Sequence, residues 1–483
     1  PTPLPDPYLI SVSRSAAALL DLDPATLHGE RMRDILAGNA LPAGAEPLAM
    51  NYCGHQFGVF VPQLGDGRAL VLGETMNSRG ERWMLQLKGA GVTPFSRTAD
   101  GRAVLRSTMR EYLCSEAMHA LGIPTTRALG IAGSDEPVYR ETRETAAVLM
   151  RMAPTLVRFG SFEIFYARRE RDYLEHLANH VIENFYSEFT GKTDACELML
   201  NEVITRTARL MAQWQSVGFC HGVMNTDNMS ILGLTLDYGP FGFLDGFNAN
   251  HICNHSDTGG RYAYAQQPQI GYWNLFCLAQ ALLPLFGEDP DVFVDISDEA
   301  QAQPAIDAAQ DTLLTYRDVY GAAFHARYRA KLGLSTAQDA DETLFGDLFK
   351  LLHTQRTDYT LFFRHLADVR RDDTPAAAEA RTVRDFFFDR AAADVWLNAY
   401  RQRLQAEPQS DEERATAMHR VNPKYVLRNH LAEGAIRAAQ QDDFTEIDRL
   451  LKVLSRPFDE PALPSDAALP PDWASTLEVS CSS

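Results

Sequence analysis

Along this chain the spacing of apolar residues changes character once. Up to about residue 160 they fall in short runs with turn signals between them. Val59–Val61, Ala69–Gly73 and Trp83–Lys88 read as strands, separated by Gly65-Asp-Gly67 and Asn77–Gly80. Thr145–Met152 reads as a buried strand ended by Pro154. One helix interrupts the strands, from about Ala103 to Leu121, with Leu105, Met109, Tyr112, Ala117 and Leu121 at helical spacing and Gly122 as its stop. Residues 1–50 read as an irregular, Pro-rich lead with a short helix over Ser13–Leu20. From about residue 170 the period is helical. Glu197–Val217 is strongly amphipathic and closed by Gly218; 273–286, 306–332 and much of 340–455 follow. Residues 456–475 read as a mostly irregular tail. The expected class is α+β with three parts: 1–160 as lead and small β-rich lobe, 161–455 as a large helical lobe with a helical extension, and 456–483 as a tail.

Composition narrows the function classes. The chain of 483 residues has ordinary globular composition and a formal net charge of −19. With no basic excess, nucleic acid and anionic membrane surfaces are not expected partners. No apolar run reaches the length of a membrane span, and no signal peptide is read, so a cytoplasmic location is expected. The cysteines at 53, 114, 196, 220, 253, 277 and 481 form no C-x-x-C pair and read as reduced thiols. Cys481 differs because it lies third from the end, on a tail. Nothing bears on assembly, and a monomer is expected.

The chemistry concentrates around His221. Protein kinases carry H-R-D-x-x-x-x-N, whose Asp is the base and whose Asn holds a metal. Here Asn228 keeps its place after His221, but the Asp position is Val223, and a carboxylate reappears at Asp227. Asp237-Tyr-Gly239 follows nine residues later and looks like the kinase metal-binding triplet. Asn228 and Asp237 are hard oxygen donors suited to Mg²⁺ or Mn²⁺, and Asp227 is the candidate proton acceptor. Upstream, Gly65-Asp-Gly67-Arg68 could cover phosphates, although a plain turn would read the same way. Lys88 ends an apolar strand and reads either as a snorkelling strand end or as a phosphate-binding lysine, with Glu111 in the next helix as its ion-pair partner. Asp100-Gly101 precedes that helix as an N-cap turn or an anion site, and Arg151 and Arg158 flank Pro154 as a potential phosphate clamp. His251, Cys253, His255 and Asp257 offer a zinc alternative, set against a structured loop.

Several long strings then converge on one family. Asn51–Gly58, Leu85–Gly91, Arg106–Glu111, His221–Asn228, Leu236–Gly239, Asn422–Asn429 and the terminal Ser480–Ser483 resemble the selenoprotein O family, protein adenylyltransferases of pseudokinase fold. The resemblance implies a two-lobed, protein-kinase-like fold that holds ATP reversed. AMP then passes to Ser, Thr or Tyr hydroxyls of proteins and pyrophosphate leaves. It implies nucleotide contacts at Gly65, Gly67, Arg68, Lys88, Asp100, Gly101, Arg151, Arg158 and Asp237, metal ligands at Asn228 and Asp237, and a proton acceptor at Asp227. Cys481 stands where some members carry selenocysteine, and a reversible disulfide with Cys253 is expected. The alternatives are a phosphotransferase on the same fold and a non-catalytic nucleotide-binding scaffold.

Overall fold

The computed structural model describes residues 1–287, 293–460 and 464–479. Its N-terminal part is an antiparallel sheet. Strands β1 (Tyr8–Val12), β4 (Ala69–Met76), β5 (Arg82–Lys88), β6 (Ala103–Val104), β7 (Arg127–Tyr139) and β8 (Arg143–Ala153) pair in the order β1-β7-β8-β5-β4, with β6 also on β8. A separate hairpin joins β2 (Gly54–Gln56) to β3 (Val59–Val61) through Phe57 and Gly58, both at positive φ. Val59–Val61 is therefore not part of the main sheet. The Gly65-Asp-Gly67 segment runs from this side hairpin into β4 rather than linking two sheet neighbours.

Two strands escape the period-two reading. Residues 8–12 were expected in an irregular lead but form the sheet edge, pairing Tyr8 with Gly133 and Val12 with Gly130. In β7, Gly130, Gly133 and Pro137 interrupt the apolar alternation, and the β7–β8 register shifts twice.

Helices α1 (Arg14–Ala18) and α2 (Glu30–Leu36) cover one face of the sheet. Ala16, Ala17, Leu36, Leu87, Val148, Met150 and Met152 form the core there. On the other face lies α3 (Leu105–Ala120). The helical part follows: α4 (Phe159–Arg168), α5 (Arg171–Phe185), α6 (Ala195–Val217), then the short pair β9 (Phe219–Cys220) and β10 (Gly242–Phe243), α7 (Gln267–Leu282) and α8 (Glu299–Lys331). Gly218 ends α6 in the left-handed region, φ 71°, where a Cβ would lie 2.9 Å from the Tyr359 ring. After these come α9 (Asp341–Gln355), α10 (Tyr359–Leu366), α11 (Pro375–Glu379), α12 (Arg390–Leu404), α13 (Asp411–Val421), α14 (Asn429–Ala439) and α15 (Thr445–Leu454). A Ser410/Glu413 capping box starts α13.

The last two helices return to the beginning of the chain. Ile447, Leu450 and Leu454 of α15, at one helical face, pack with Ala435 and Ile436 of α14 against Met109, Tyr112 and Leu113 of α3. Asp448 accepts a hydrogen bond from Ser11 Oγ at 2.6 Å. The C-terminal tail is also tied down: Arg449 pairs with Asp466 at 2.6 Å and Arg364 with Glu460 at 3.1 Å. No helix among the described residues is long and apolar enough to cross a membrane.

Candidate active site

Strand alternation decides which side chains face the cleft between sheet and helices. On β5, Leu85 and Leu87 point to the α1/α2 side, which leaves Gln86 and Lys88 on the other. On β8, Met150 and Met152 point to the same core, which leaves Leu149 and Arg151 on the cleft side. Gln86 stands directly opposite Arg151 in the ladder, and its Oε1 accepts from Arg151 Nε at 2.6 Å. Helix α3 raises Glu111 beneath them. The Lys88 ammonium pairs with Glu111 Oε2, and Arg151 Nη1 lies 3.2 Å from Glu111 Oε1.

Asp237 completes this group, at φ 58° in the turn after the His221 segment. Arg151 pairs with its Oδ1, Arg158 with its Oδ2 at 2.6 Å, and Lys88 Nζ lies 3.8 Å away. Burial alone would push the Asp237 carboxyl up; Arg151, then Arg158 and Lys88, outweigh it and hold the group well below the usual carboxylate range. Burial pulls Lys88 below its ordinary value, with Glu111 the strongest influence in the other direction.

The cleft has a volume of about 640 Å³ and is lined by Gly65, Gly67, Arg68, Lys88, Asp100, Gly101, Glu111, Arg151, Asn228 and Asp237, with Val223 on its floor. Thus most of the residues singled out from the sequence meet in one cavity. Arg158 and Asp227 stand behind that lining. Arg158 is 1% exposed; its Nη1 also donates to the Asp227 carbonyl at 2.7 Å, and its guanidinium lies over the Tyr52 ring at 4.5 Å.

Asp227 comes from the 3₁₀ turn Thr226–Asn228. Its Oδ2 accepts from Gln56 Nε2 at 3.3 Å, and its buried Oδ1 has no hydrogen-bond partner among the described residues. Burial pushes its pKa up to about 6, opposed first by Arg158. A Cβ at Gly54 would approach Asp227 Oδ1 to 3.0 Å, so strand β2 passes close because Gly54 has no side chain. Asn228 donates from Nδ2 to the Val223 carbonyl at 3.0 Å, which fixes the amide and leaves Oδ1 for another partner. His221 packs as a structural ring: burial pulls its pKa down, it stacks on Trp214, and Nε2 lies 2.9 Å from the Leu236 carbonyl.

Two glycines have a packing explanation besides phosphate access. At Gly65 (φ +91°) a Cβ would sit 2.5 Å from the Phe95 ring, and at Gly101 (φ +70°) 2.2 Å from Gly91. Asp100 is not the N-cap of α3, a position held by Val104. It instead accepts from Arg102 N at 2.9 Å and binds Arg140 with both oxygens.

Several residues here went unread in the sequence: Tyr52, Gln56, Asp66, Gln86 and Arg140. Asp66 accepts from Tyr52 Oη at 3.0 Å and from Gln86 Nε2 at 2.7 Å, so a buried chain runs from Asp66 through Gln86 to Arg151. Period two from Lys88 would have found Gln86; Asp66 lies inside the Gly65–Gly67 turn and Tyr52 inside the Asn51–Gly58 string, and neither segment signals that these side chains face Gln86 and Arg158.

In the alternative zinc segment Asp257 is occupied as a turn cap, accepting from Arg261 N at 3.0 Å and Tyr262 N at 2.8 Å. Cys253 is partly exposed, and its thiol is pushed well up by its neighbour Cys220 and by burial. Its expected partner Cys481 lies outside the described residues.

Comparison with known proteins gives the family. The family model described as protein adenylyltransferase SelO matches residues 1–455. A Ralstonia nicotianae protein named protein nucleotidyltransferase YdiU is 67% identical across 100% of this chain and 92% of its own length. Proteins of the same name from Cupriavidus metallidurans and Paraburkholderia xenovorans are 58% and 57% identical, each across 100% of this chain, with 88% and 92% of their own lengths covered. The chain belongs to the SelO family of protein adenylyltransferases and is a nucleotidyltransferase.

Proposed function

We propose that this protein transfers AMP from ATP to hydroxyl groups of Ser, Thr or Tyr in other proteins, on a two-lobed, kinase-like scaffold. The observation that carries the reading is the gathering of Lys88, Arg151 and Arg158 around Asp237 at the deep end of one cleft, with Val223 where a kinase keeps its base. Buried cations of this density suit the β- and γ-phosphates, and in the proposed pose the α-phosphorus lies on the Asp227 side of the cleft. Arg68, in the cleft wall, adds a fourth positive charge.

In the proposed reaction the acceptor oxygen attacks the α-phosphorus, the bond to the bridging oxygen of the β-phosphate breaks, and pyrophosphate leaves. Asp227 takes the hydroxyl proton. Its oxygen Oδ1, without a partner among the described residues, and its pKa near 6 suit a base that is ionised at neutral pH yet still basic. Because Asp227 stands behind the lining, the hydroxyl reaches it from the side of Gln56. Asn228 and Asp237 form an all-oxygen donor pair that fits Mg²⁺ or Mn²⁺, an ion that would neutralise phosphate charge. Each Asp237 oxygen keeps a lone pair beyond its arginine contact, so the carboxylate could hold the ion while still paired.

ATP labelled in the α- or the γ-phosphate tests the reading. Label from the α-position should enter acceptor protein and label from the γ-position should leave as pyrophosphate. Entry of the γ-label alone would make the protein a phosphotransferase, and entry of neither would make it a nucleotide-binding scaffold.

A further inference from the structure

A second constellation lies outside the nucleotide cleft, on the far side of strand β2. His55 of β2, Glu163 of α4 and Cys277 of α7 bring an imidazole nitrogen, a carboxylate oxygen and Sγ to within 4.8 Å of one another. The three come from separate elements and are not neighbours in sequence. His55 Nδ1 lies 2.6 Å from Glu163 Oε1, while the other carboxylate oxygen, Oε2, is buried and has no hydrogen-bond partner among the described residues. Glu163 is 3% exposed and Cys277 5%. An ordinary His–Glu ion pair explains the first contact. It explains neither the orphaned Oε2 nor a thiol held beside it, because a buried carboxylate oxygen left without a donor is costly. The histidine is partly open to solvent, with 23% of its side chain exposed, which gives an entry path and room for a water ligand.

We propose that His55, Glu163 and Cys277 form a binding site for one borderline divalent cation of the zinc class, with water in the fourth position. Imidazole nitrogen, thiolate sulfur and carboxylate oxygen together suit zinc, whereas magnesium and calcium prefer oxygen alone. On binding, the Cys277 thiol loses its proton to solvent and the imidazole carries its proton on Nε2, freeing Nδ1 for the metal. Nδ1 and Oε1 separate slightly as the ion enters between them. Burial and then Glu163 push the Cys277 thiol up to about 12, with Arg261, stacked over Trp273 at 4.6 Å beside His55, acting in the other direction, so the bound cation must itself supply most of the stabilisation of the thiolate.

The site bears on the candidate active site through one strand. The backbone N–H of His55 donates to Thr226 Oγ1 at 2.7 Å, and the next residue, Gln56, holds Asp227. A cation at His55 therefore pins β2 to α4 and α7 and steadies the strand that touches the proposed base.

The test uses the full-length protein, stripped of metal and titrated with Co²⁺ in excess Mg²⁺, so that oxygen-only sites are filled. The expected result is one equivalent of tightly bound cobalt with a thiolate-to-cobalt charge-transfer band, displaced by Zn²⁺. Cys277→Ser should abolish the band, and Glu163→Gln should weaken binding roughly tenfold or more. Circular dichroism of each variant checks folding. If Cys277→Ser does not fold, alkylation of Cys277 in the unaltered protein replaces it, and Zn²⁺ should protect that thiol from the reagent. Absence of the charge-transfer band in the unaltered protein, persistence of the band in folded Cys277→Ser, or alkylation of Cys277 at the same rate with and without Zn²⁺ would overturn the proposal.

Discussion

At the residue scale the account turns on Asp227. Its carboxyl is buried and its pKa is raised from 3.8 to about 6, so in the folded protein the ionised form is disfavoured. The cost is absent below the ordinary Asp range, develops as pH rises from about 4 to about 6, and is present in full at neutral pH. Asp227→Asn removes the charge and should therefore fold at least as stably as the parent at pH 7, by about 1–3 kcal/mol in denaturant titration. The same change should lower AMP transfer by about 10²–10⁴-fold. In the unaltered enzyme, kcat/KM should rise with pH through about 6 with the slope of one proton. An Asp227→Asn protein that is both unstable and active would contradict both roles. The sequence marked Asp227 because a carboxylate reappears next to Asn228 after Val223 displaces the usual base. It could not mark Gln56 or Tyr52, whose relevance depends on a hairpin folding back over the turn.

At the element scale, alternation and helical spacing made β5, β8, α3 and α6 legible to within a few residues. They did not reveal β1 or β7, where glycine and proline break the pattern and pairing across the sheet supplies the stability. Nor did they reveal that α14 and α15 pack on α3, since an amphipathic stripe states that a face is buried and not against what. That packing has a consequence. Leu450 is fully buried between α15 and the helix that carries Glu111. Leu450→Ala should cost about 2–5 kcal/mol in stability and, by loosening α3, weaken nucleotide binding measured by calorimetry. At the loop before β4, Gly65→Ala meets the Phe95 ring at 2.5 Å with φ at +91°. It should weaken nucleotide binding more than Gly73→Ala, where a Cβ has open space and the backbone is equally unusual at φ +142°. Equal loss at both positions would locate the effect in backbone strain rather than in the shape of the cleft.

For the whole molecule, the sheet, α3 and the turn carrying Asp237 are joined by one network of buried charge. Lys88, Arg151 and Arg158 face only two carboxylates, Glu111 and Asp237, so the cluster keeps an excess positive charge that suits phosphate. Asp237→Ala would leave two buried guanidinium groups without that partner and should destabilise the protein by about 3–5 kcal/mol. ATP with a divalent cation should raise the melting temperature of the parent. Without Asp237, the proposed metal donor, that metal-dependent rise should largely vanish in the variant. The sequence foretold the members of this network and the Lys88–Glu111 pair, but not the convergence of Lys88, Arg151 and Arg158 on Asp237, because long-range ion pairs leave no periodic trace. The central claim is that these cations grip the far end of the triphosphate. A crystal structure with a non-hydrolysable ATP analogue tests it most directly. The β- and γ-phosphates should lie on Lys88, Arg151 and Arg158, with the α-phosphorus facing Asp227. Adenine buried at that end, with the γ-phosphate directed outward, would contradict it.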